Sequence, residues 1–283
     1  MKYDEPSAVL FDAHAHLSFA SDPVGFAQWA NERFAGAFST TVDLADYRAS
    51  NQAFGFLPKI KIGLGAHPWW VAQGKITSED LEELALLAQE ARFIGEVGLD
   101  FGKNGLAKSA FVSAEETKAA QVSVLRSILA ACAESGDPAQ SAGRGRVFSF
   151  HAVRSADVIM DLLQELGLLP GNTVIFHWFS GSSAQLTRAR DLGCSFSVNA
   201  FMLATKRGRE YAKAIPTDRL FVETDLPEGP ADQFAVPAGE ESFAWEREQY
   251  ERALVSAYEQ LIELRGPGIL EAIERNVATT FGA

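Results

Sequence analysis

Five histidines and a few carboxylates carry the chemistry that can be read from this chain of 283 residues. Two of the histidines fall in Phe11-Asp12-Ala13-His14-Ala15-His16-Leu17, at the end of a short apolar run. In an extended strand, residues two apart share a face, so Asp12, His14 and His16 can project the same way. Two imidazoles from one strand end can reach the same cation, and a nearby carboxylate can orient one of them. A hydrogen-bonded structural pair is the competing reading. The remaining histidines, His67, His151 and His177, also lie at or just beyond the ends of apolar runs. Glu96 stands late in Phe93–Val97, where an unpaired charge is costly, and Glu223 and Asp225 stand two apart at the end of another run. An internal ion pair with Arg154 or Lys206 would satisfy such acids. Cationic side chains are scarce in these runs, however, and a metal ion satisfies them equally well.

Imidazole and carboxylate ligands suit zinc, manganese or another first-row divalent ion better than calcium. Six such ligands exceed what one tetrahedral site takes, so two ions sharing a carboxylate fit better. A pair of ions about 3.5–4 Å apart can clamp attacking and leaving oxygens and lower the pKa of a shared water from about 15.7 toward about 7. That is hydrolytic chemistry.

The elements that must position these residues repeat one pattern, a short β-like apolar run followed by an amphipathic helical stretch. The spacing predicts strands over Val9–His14, Gly36–Val42, Lys61–Ala66, Phe93–Val97, Arg146–His151, Thr173–His177, Cys194–Val198 and Leu220–Thr224. Helices are expected between them, among others over Glu79–Ala91, Ala114–Glu134, Ala156–Leu166 and Ser183–Leu192, with Phe243–Leu264 and Ile269–Val277 after the last strand. Eight alternations over this length predict an α/β fold, a (β/α)8 TIM barrel whose strand C-terminal ends form the functional rim. A doubly wound open sheet is the alternative that periodicity leaves standing. Gly136–Gly145 and Glu228–Glu240 read as loops rather than linkers, so residues 1–283 are expected to form a single domain. No fixed-period repeat is visible, which argues against a solenoid.

Composition narrows the function classes. At 47% hydrophobic and 22% charged residues, the chain reads as globular. Its 25 Lys+Arg against 37 Asp+Glu give a net charge of -12, which argues against wide, non-specific adhesion to nucleic acid but not against gripping a few phosphates. Two distant cysteines, Cys132 and Cys194, argue for buried thiols in a reducing compartment. No long apolar segment is present and the N-terminal run is too short for a signal peptide, so no membrane association and a cytoplasmic location are expected.

Taken together, the motifs resemble the TatD-like metal-dependent deoxyribonucleases, within the amidohydrolase-type barrels. The matches are residues 11–17, FDAHAHL; 65–70, GAHPWW; 94–101, IGEVGLDF; 148–156, FSFHAVRSA; 174–182, VIFHWFSGS; and 221–227, FVETDLP. Asn276 and Phe281 trace the family's terminal motif. The resemblance implies two divalent ions, zinc, manganese or magnesium. His14 and His16 would bind one with Asp225, Glu96 would bridge, and His151 and His177 would complete the second. Asp225 would also be the base that deprotonates the attacking water, making Asp225 and Glu96 the catalytic pair. His67 would face the phosphate, while Asp12, Asp100 and Glu223 would support the ligands from behind. Two departures stand out. Phe101 follows Gly-Leu-Asp where the family commonly has an aromatic hydroxyl, and Arg154 lies three residues after His151 rather than two. The stretch from His177 to Ser182, with Phe196–Asn199, resembles the TatD-like subunit of Qat anti-phage cassettes, which implies partner subunits and a defence role.

Arg154, with Lys206, Arg207 and Arg209 in the loop expected after the seventh strand, form a candidate basic edge for a DNA or oligonucleotide substrate. A solvated helix start is the competing reading of Lys206–Arg209. Arg144 and Arg146 are expected to face away from it. Trp69, Trp70, Trp178 and Phe179 could stack on bases. Pocket wall is the favoured reading of Trp178, while Trp69 and Trp70 stay open. The resulting expectation is a metal-dependent phosphodiesterase. A metal-dependent amidohydrolase or lactonase is one alternative, and a non-catalytic metal-bearing subunit is the other. Against the first alternative, barrels of that kind often bridge their metals with a lysine, and Glu96 takes that place here.

Overall fold

The computed structural model describes residues 9–107, 109–135, 145–227 and 240–283. The expected loops Gly136–Gly145 and Glu228–Glu240, and Arg144, fall almost wholly outside them.

Eight strands follow the chain: β1 Phe11–Ala15, β2 Gly36–Thr40, β3 Ile60–Ala66, β4 Phe93–Asp100, β5 Val147–Val153, β6 Thr173–His177, β7 Ser195–Val198 and β8 Leu220–Val222. Between the first four lie α1 Pro23–Arg33, α2 Leu44–Phe54, α3 Pro68–Ala72 and α4 Ser78–Glu90. Then come α5 Lys103–Leu106, α6 Ala114–Glu134, α7 Ala156–Glu165, α8 Ser183–Asp191, α9 Ala200–Leu203 and α10 Lys206–Ala214. The chain closes with α11 Glu240–Arg265 and α12 Ile269–Phe281. The strands join one sheet in sequence order, β1 to β8. A doubly wound sheet would reverse that order at a switch point. Sequential order with a helical connection after each strand is the (β/α)8 barrel.

The chain divides into two compact units. One comprises Met1–Ser39, Ala49–Ile62 and Ser197–Ala283. In it, Phe281 near the end of α12 packs on Phe11 of β1, Phe38 of β2 and Phe221 of β8, with ring centroids 4.6, 5.5 and 5.9 Å apart. Asn276, one turn earlier, donates to the carbonyls of Thr217 and Leu220 at 2.8 and 3.0 Å, tying α12 to the start of β8. The Tyr258 hydroxyl of α11 accepts the Phe11 N–H and donates to the Phe11 carbonyl, so β1 is clamped on both backbone groups of one residue.

The second unit comprises Thr40–Arg48 and Gly63–Phe196. Strands β3 to β6 pair in parallel there, and Phe148, Phe150, Phe176, Phe179 and Phe196 form its aromatic core. Arg146 is buried at the start of β5. Its guanidinium donates to the carbonyls of Ala88, Gln89 and Ala91 and to Ser135, which satisfies carbonyls that the end of α4 would otherwise leave unpaired. Gly98 of β4 has φ +147°, and a Cβ there would stand 2.1 Å from the His151 carbonyl oxygen. Glycine is what lets β4 run this close to the backbone that carries His151.

Candidate metal centre

Each unit holds a cluster of histidines around a carboxylate. In the first, β1 ends in His14 and His16. The Asp225 N–H donates to the His14 carbonyl at 2.9 Å, and the His16 N–H to the Leu226 carbonyl at 2.9 Å, so residues just past β8 are zipped to the end of β1. Asp225 adopts φ 63°, a left-handed conformation that a non-glycine residue enters only when its surroundings hold it there. Its Oδ1 lies 3.5 Å from His14 Nε2 and 3.3 Å from His16 Nε2.

Behind them Asp12 is fully buried. Its carboxylate accepts from the His14 N–H at 3.0 Å and from both the N–H and the hydroxyl of Thr224, whose oxygen in turn accepts the Leu226 N–H. Through these bonds Asp12 holds the backbone that carries His14. Burial pushes its pKa up to about 7, against the opposing pull of these hydrogen bonds. Glu223 is also fully buried; it accepts from the Ser197 hydroxyl and from Asn199 Nδ2. Asn199 simultaneously caps α9 through Oδ1, 2.8 Å from the Met202 nitrogen. One carboxylate oxygen of Glu223 comes within 4.8 Å of a ring nitrogen of His14.

In the second unit three imidazoles converge on one oxygen of the buried Glu96. His151 Nδ1 lies at 2.8 Å, His177 Nε2 at 2.9 Å and His67 Nε2 at 3.3 Å from Oε1. Thr41 supports Glu96 by accepting its N–H at 2.8 Å, while the Thr41 hydroxyl bonds across β3 to Gly63 and Gly65. The other face of His151 meets Asp100, with Nε2 3.3 Å from Oδ2. Burial lowers the pKa of His151, but the hydrogen bonds to Asp100 and Glu96 outweigh it and the group lies above its ordinary value. Burial likewise pushes Asp100 up, and the His151, Trp69 and Gly102 contacts win and hold it low. Asp100 is fixed through its backbone by Gln121 of α6, which accepts its N–H and donates to its carbonyl.

Both clusters fit a divalent ion. The potential ligand atoms of His67, Glu96 and His151 all lie within 4.8 Å of one another, and His14, His16 and Asp225 supply the same donor chemistry. Nitrogens crowded on a buried carboxylate oxygen repel one another unless protons or a cation lie between them.

The expected substrate residues fare differently. Arg154 is exposed with φ 55° just past β5, and Lys206 and Arg207 are exposed too. The basic segment is not a loop, however. Residues 206–209 form the first turn of α10, capped by Thr205 accepting from the Gly208 N–H at 2.9 Å. Phe179 is buried against Phe176 and Phe196 and cannot stack on a base. Trp178 is 40% exposed and sits at φ 38°.

Sequence reading missed Gln121, Thr41, Ser197 and Asn199. Gln121 carried a usable signal. It stands on the buried stripe of α6 with Thr117, Leu125, Leu129 and Cys132, where an amide needs a polar partner. The other three look like ordinary strand-end polar residues.

The geometry agrees with known proteins. The model of the family described as TatD related DNase matches residues 11–282. A relative named 3'-5' ssDNA/RNA exonuclease TatD, from Klebsiella pneumoniae (strain 342), is 33% identical over 152 residues, which cover 52% of this chain and 50% of that one. The matched stretch thus spans about half the length of this curated relative. Among solved structures, a TatD homologue from Escherichia coli k12 superposes with a TM-score of 0.73 at 21% identity, covering 98% of this chain and 99% of that one. A TatD family hydrolase from Entamoeba histolytica gives a TM-score of 0.71 at 19% identity, covering 99% and 100%. At those identities the superpositions speak for the fold. No helix among the described residues is long and apolar enough to cross a membrane. With the family model matched from the first strand to the last helix, the chain belongs to the TatD related DNase family, a family of hydrolases.

Proposed function

We propose that the protein is a divalent-metal-dependent phosphodiesterase that trims single-stranded DNA or RNA, as the name of its Klebsiella relative describes that protein. The observation that carries this reading is Glu96, a buried carboxylate whose one oxygen faces three imidazoles. In a (β/α)8 barrel the C-terminal strand ends make the reacting face, and family membership supports reading the histidines and carboxylates there as metal ligands. His14, His16 and Asp225 would hold one ion, His151 and His177 the other, with Glu96 shared. Bound there, the ions supply the charge that lets water attack phosphorus near neutral pH.

The chain's own residues do the rest. Asp225 takes the proton of the attacking water on Oδ1, the oxygen that both β1 histidines face. Its left-handed backbone, held by the His14 carbonyl, keeps that oxygen aimed. His67, Arg154, Lys206 and Arg207 hold phosphates of the strand. Asp12 and Glu223 steady β1 and β8, and Asp100 steadies His151. Residues 1–283 act as one domain. Two buried thiols, Cys132 and Cys194, support a reducing, cytoplasmic setting. Partner subunits rest on the resemblance of residues 177–182 and 196–199 alone.

The test is cleavage of end-labelled single- and double-stranded oligonucleotides with Mn²⁺, Mg²⁺ or Zn²⁺, beside a lactone and hydantoin panel. Single strands should shorten from one end, and Asp225→Asn should cut at least about 100-fold more slowly with an unchanged melting temperature. Turnover of the small-molecule panel alone, or identical behaviour of Asp225→Asn, would overturn the proposal.

A further inference from the structure

Two histidines of the second cluster are held by one residue outside the ligand set. His67 caps α3, with its Nδ1 accepting the Trp69 N–H at 3.1 Å. An imidazole whose Nδ1 accepts presents Nε2 elsewhere, and here Nε2 points to Glu96 at 3.3 Å. The indole of the same tryptophan donates from Nε1 to Asp100 Oδ2 at 2.6 Å. That is the oxygen His151 Nε2 faces at 3.3 Å, and Oδ1 of the same carboxylate is occupied by the Gly102 N–H at 2.8 Å. With both oxygens held, Asp100 cannot rotate, and His151 is left presenting Nδ1 to Glu96 at 2.8 Å. Indole N–H is a donor only, so it favours the charged, accepting form of Asp100 that orients an imidazole.

We propose that Trp69 is a positioning residue that sets the orientation of both His67 and His151, the first through its backbone N–H and the second through Asp100. The indole N–H is thereby committed to the metal-ligand framework. Pro68, at the first position of α3, fixes the turn from which both bonds are made.

The test removes the N–H and keeps the ring. Trp69→Phe is the first variant, and benzothienylalanine at position 69, which puts sulfur in place of the N–H at nearly constant shape, is the second in case the first does not fold. In metal-free protein with ¹⁵N-labelled histidine at fixed pH, both should shift the His151 imidazole nitrogen signals and leave those of His14 and His16 in place. Unchanged His151 signals would overturn the proposal. A second arm, which rests on the metal reading above, measures Mn²⁺ and Zn²⁺ affinity by competition with a chromophoric chelator. Trp69→Phe should weaken binding by about 10–100-fold, and combining it with Asp100→Asn should cost no more than Asp100→Asn alone. Trp70→Phe should leave binding unchanged. Fully additive losses would also overturn it. If the unaltered protein binds neither ion, the metal reading fails while the His151 signals still decide on Trp69.

Discussion

Asp12 shows how a buried carboxyl can fix the backbone that carries a histidine. It is buried beside the strand that carries His14 and His16, and its hydrogen bonds go to backbone and to Thr224. Burial keeps its carboxyl protonated to about pH 7, whereas an ordinary aspartate ionises near 3.8. Between those values the folded chain holds a proton that the unfolded chain has released. The group's contribution to stability is therefore greatest in acid and is lost as pH rises from about 4 to about 7. Asp12→Asn removes the titration. In chelator-treated protein, the denaturant midpoint of Asp12→Asn relative to the unaltered protein should rise across that window, and a pH-independent difference would refute the assignment. Period-2 geometry in a strand put Asp12 on the same face as His14 in the sequence reading. It could not show that the carboxylate grips backbone rather than a ring, since that depends on where β8 arrives. Trp69 marks the same boundary. Its position after His67 was visible, but its partner Asp100 lies 31 residues away at the end of β4.

At the scale of elements, all eight strands were legible to within a few residues, since buried parallel strands write themselves as short apolar runs. Helices α4, α6, α7 and α8 were equally clear, with capping boxes at Thr77 and Ser182 starting α4 and α8. The helix over Lys206–Ala214 was read only as the alternative to a loop, because its start shows a polar face with a threonine cap and little else. The clamp that Tyr258 places on β1 was also invisible, being a contact across 247 residues. Tyr258→Phe leaves a buried N–H and a buried carbonyl of Phe11 without that hydroxyl, and should cost about 1–3 kcal/mol in a urea titration. Because β1 keeps its pairing with β2, the variant should still bind metal; a stability within about 0.5 kcal/mol of the unaltered protein would show the clamp to be idle.

At the scale of the whole molecule, a net charge of -12 sets terms for any polyanionic substrate. Attraction must come from a few exposed cations and the proposed ions, so few counterions are released on binding. Losing Lys206 and Arg207 together should raise KM with little change in kcat. It should also flatten the dependence of log KM on log salt by about 1.4 for single strands, two phosphate contacts' worth. An unchanged slope would remove these residues from the substrate path. The packing of Phe281 and Tyr258 on Phe11 has a further consequence, one of timing. During synthesis β1 leaves the ribosome first, yet the residues that clamp and cover it are made some 250 positions later. Its two histidines meet Asp225 only after most of the chain exists. A nascent or prematurely terminated chain thus lacks the finished cluster.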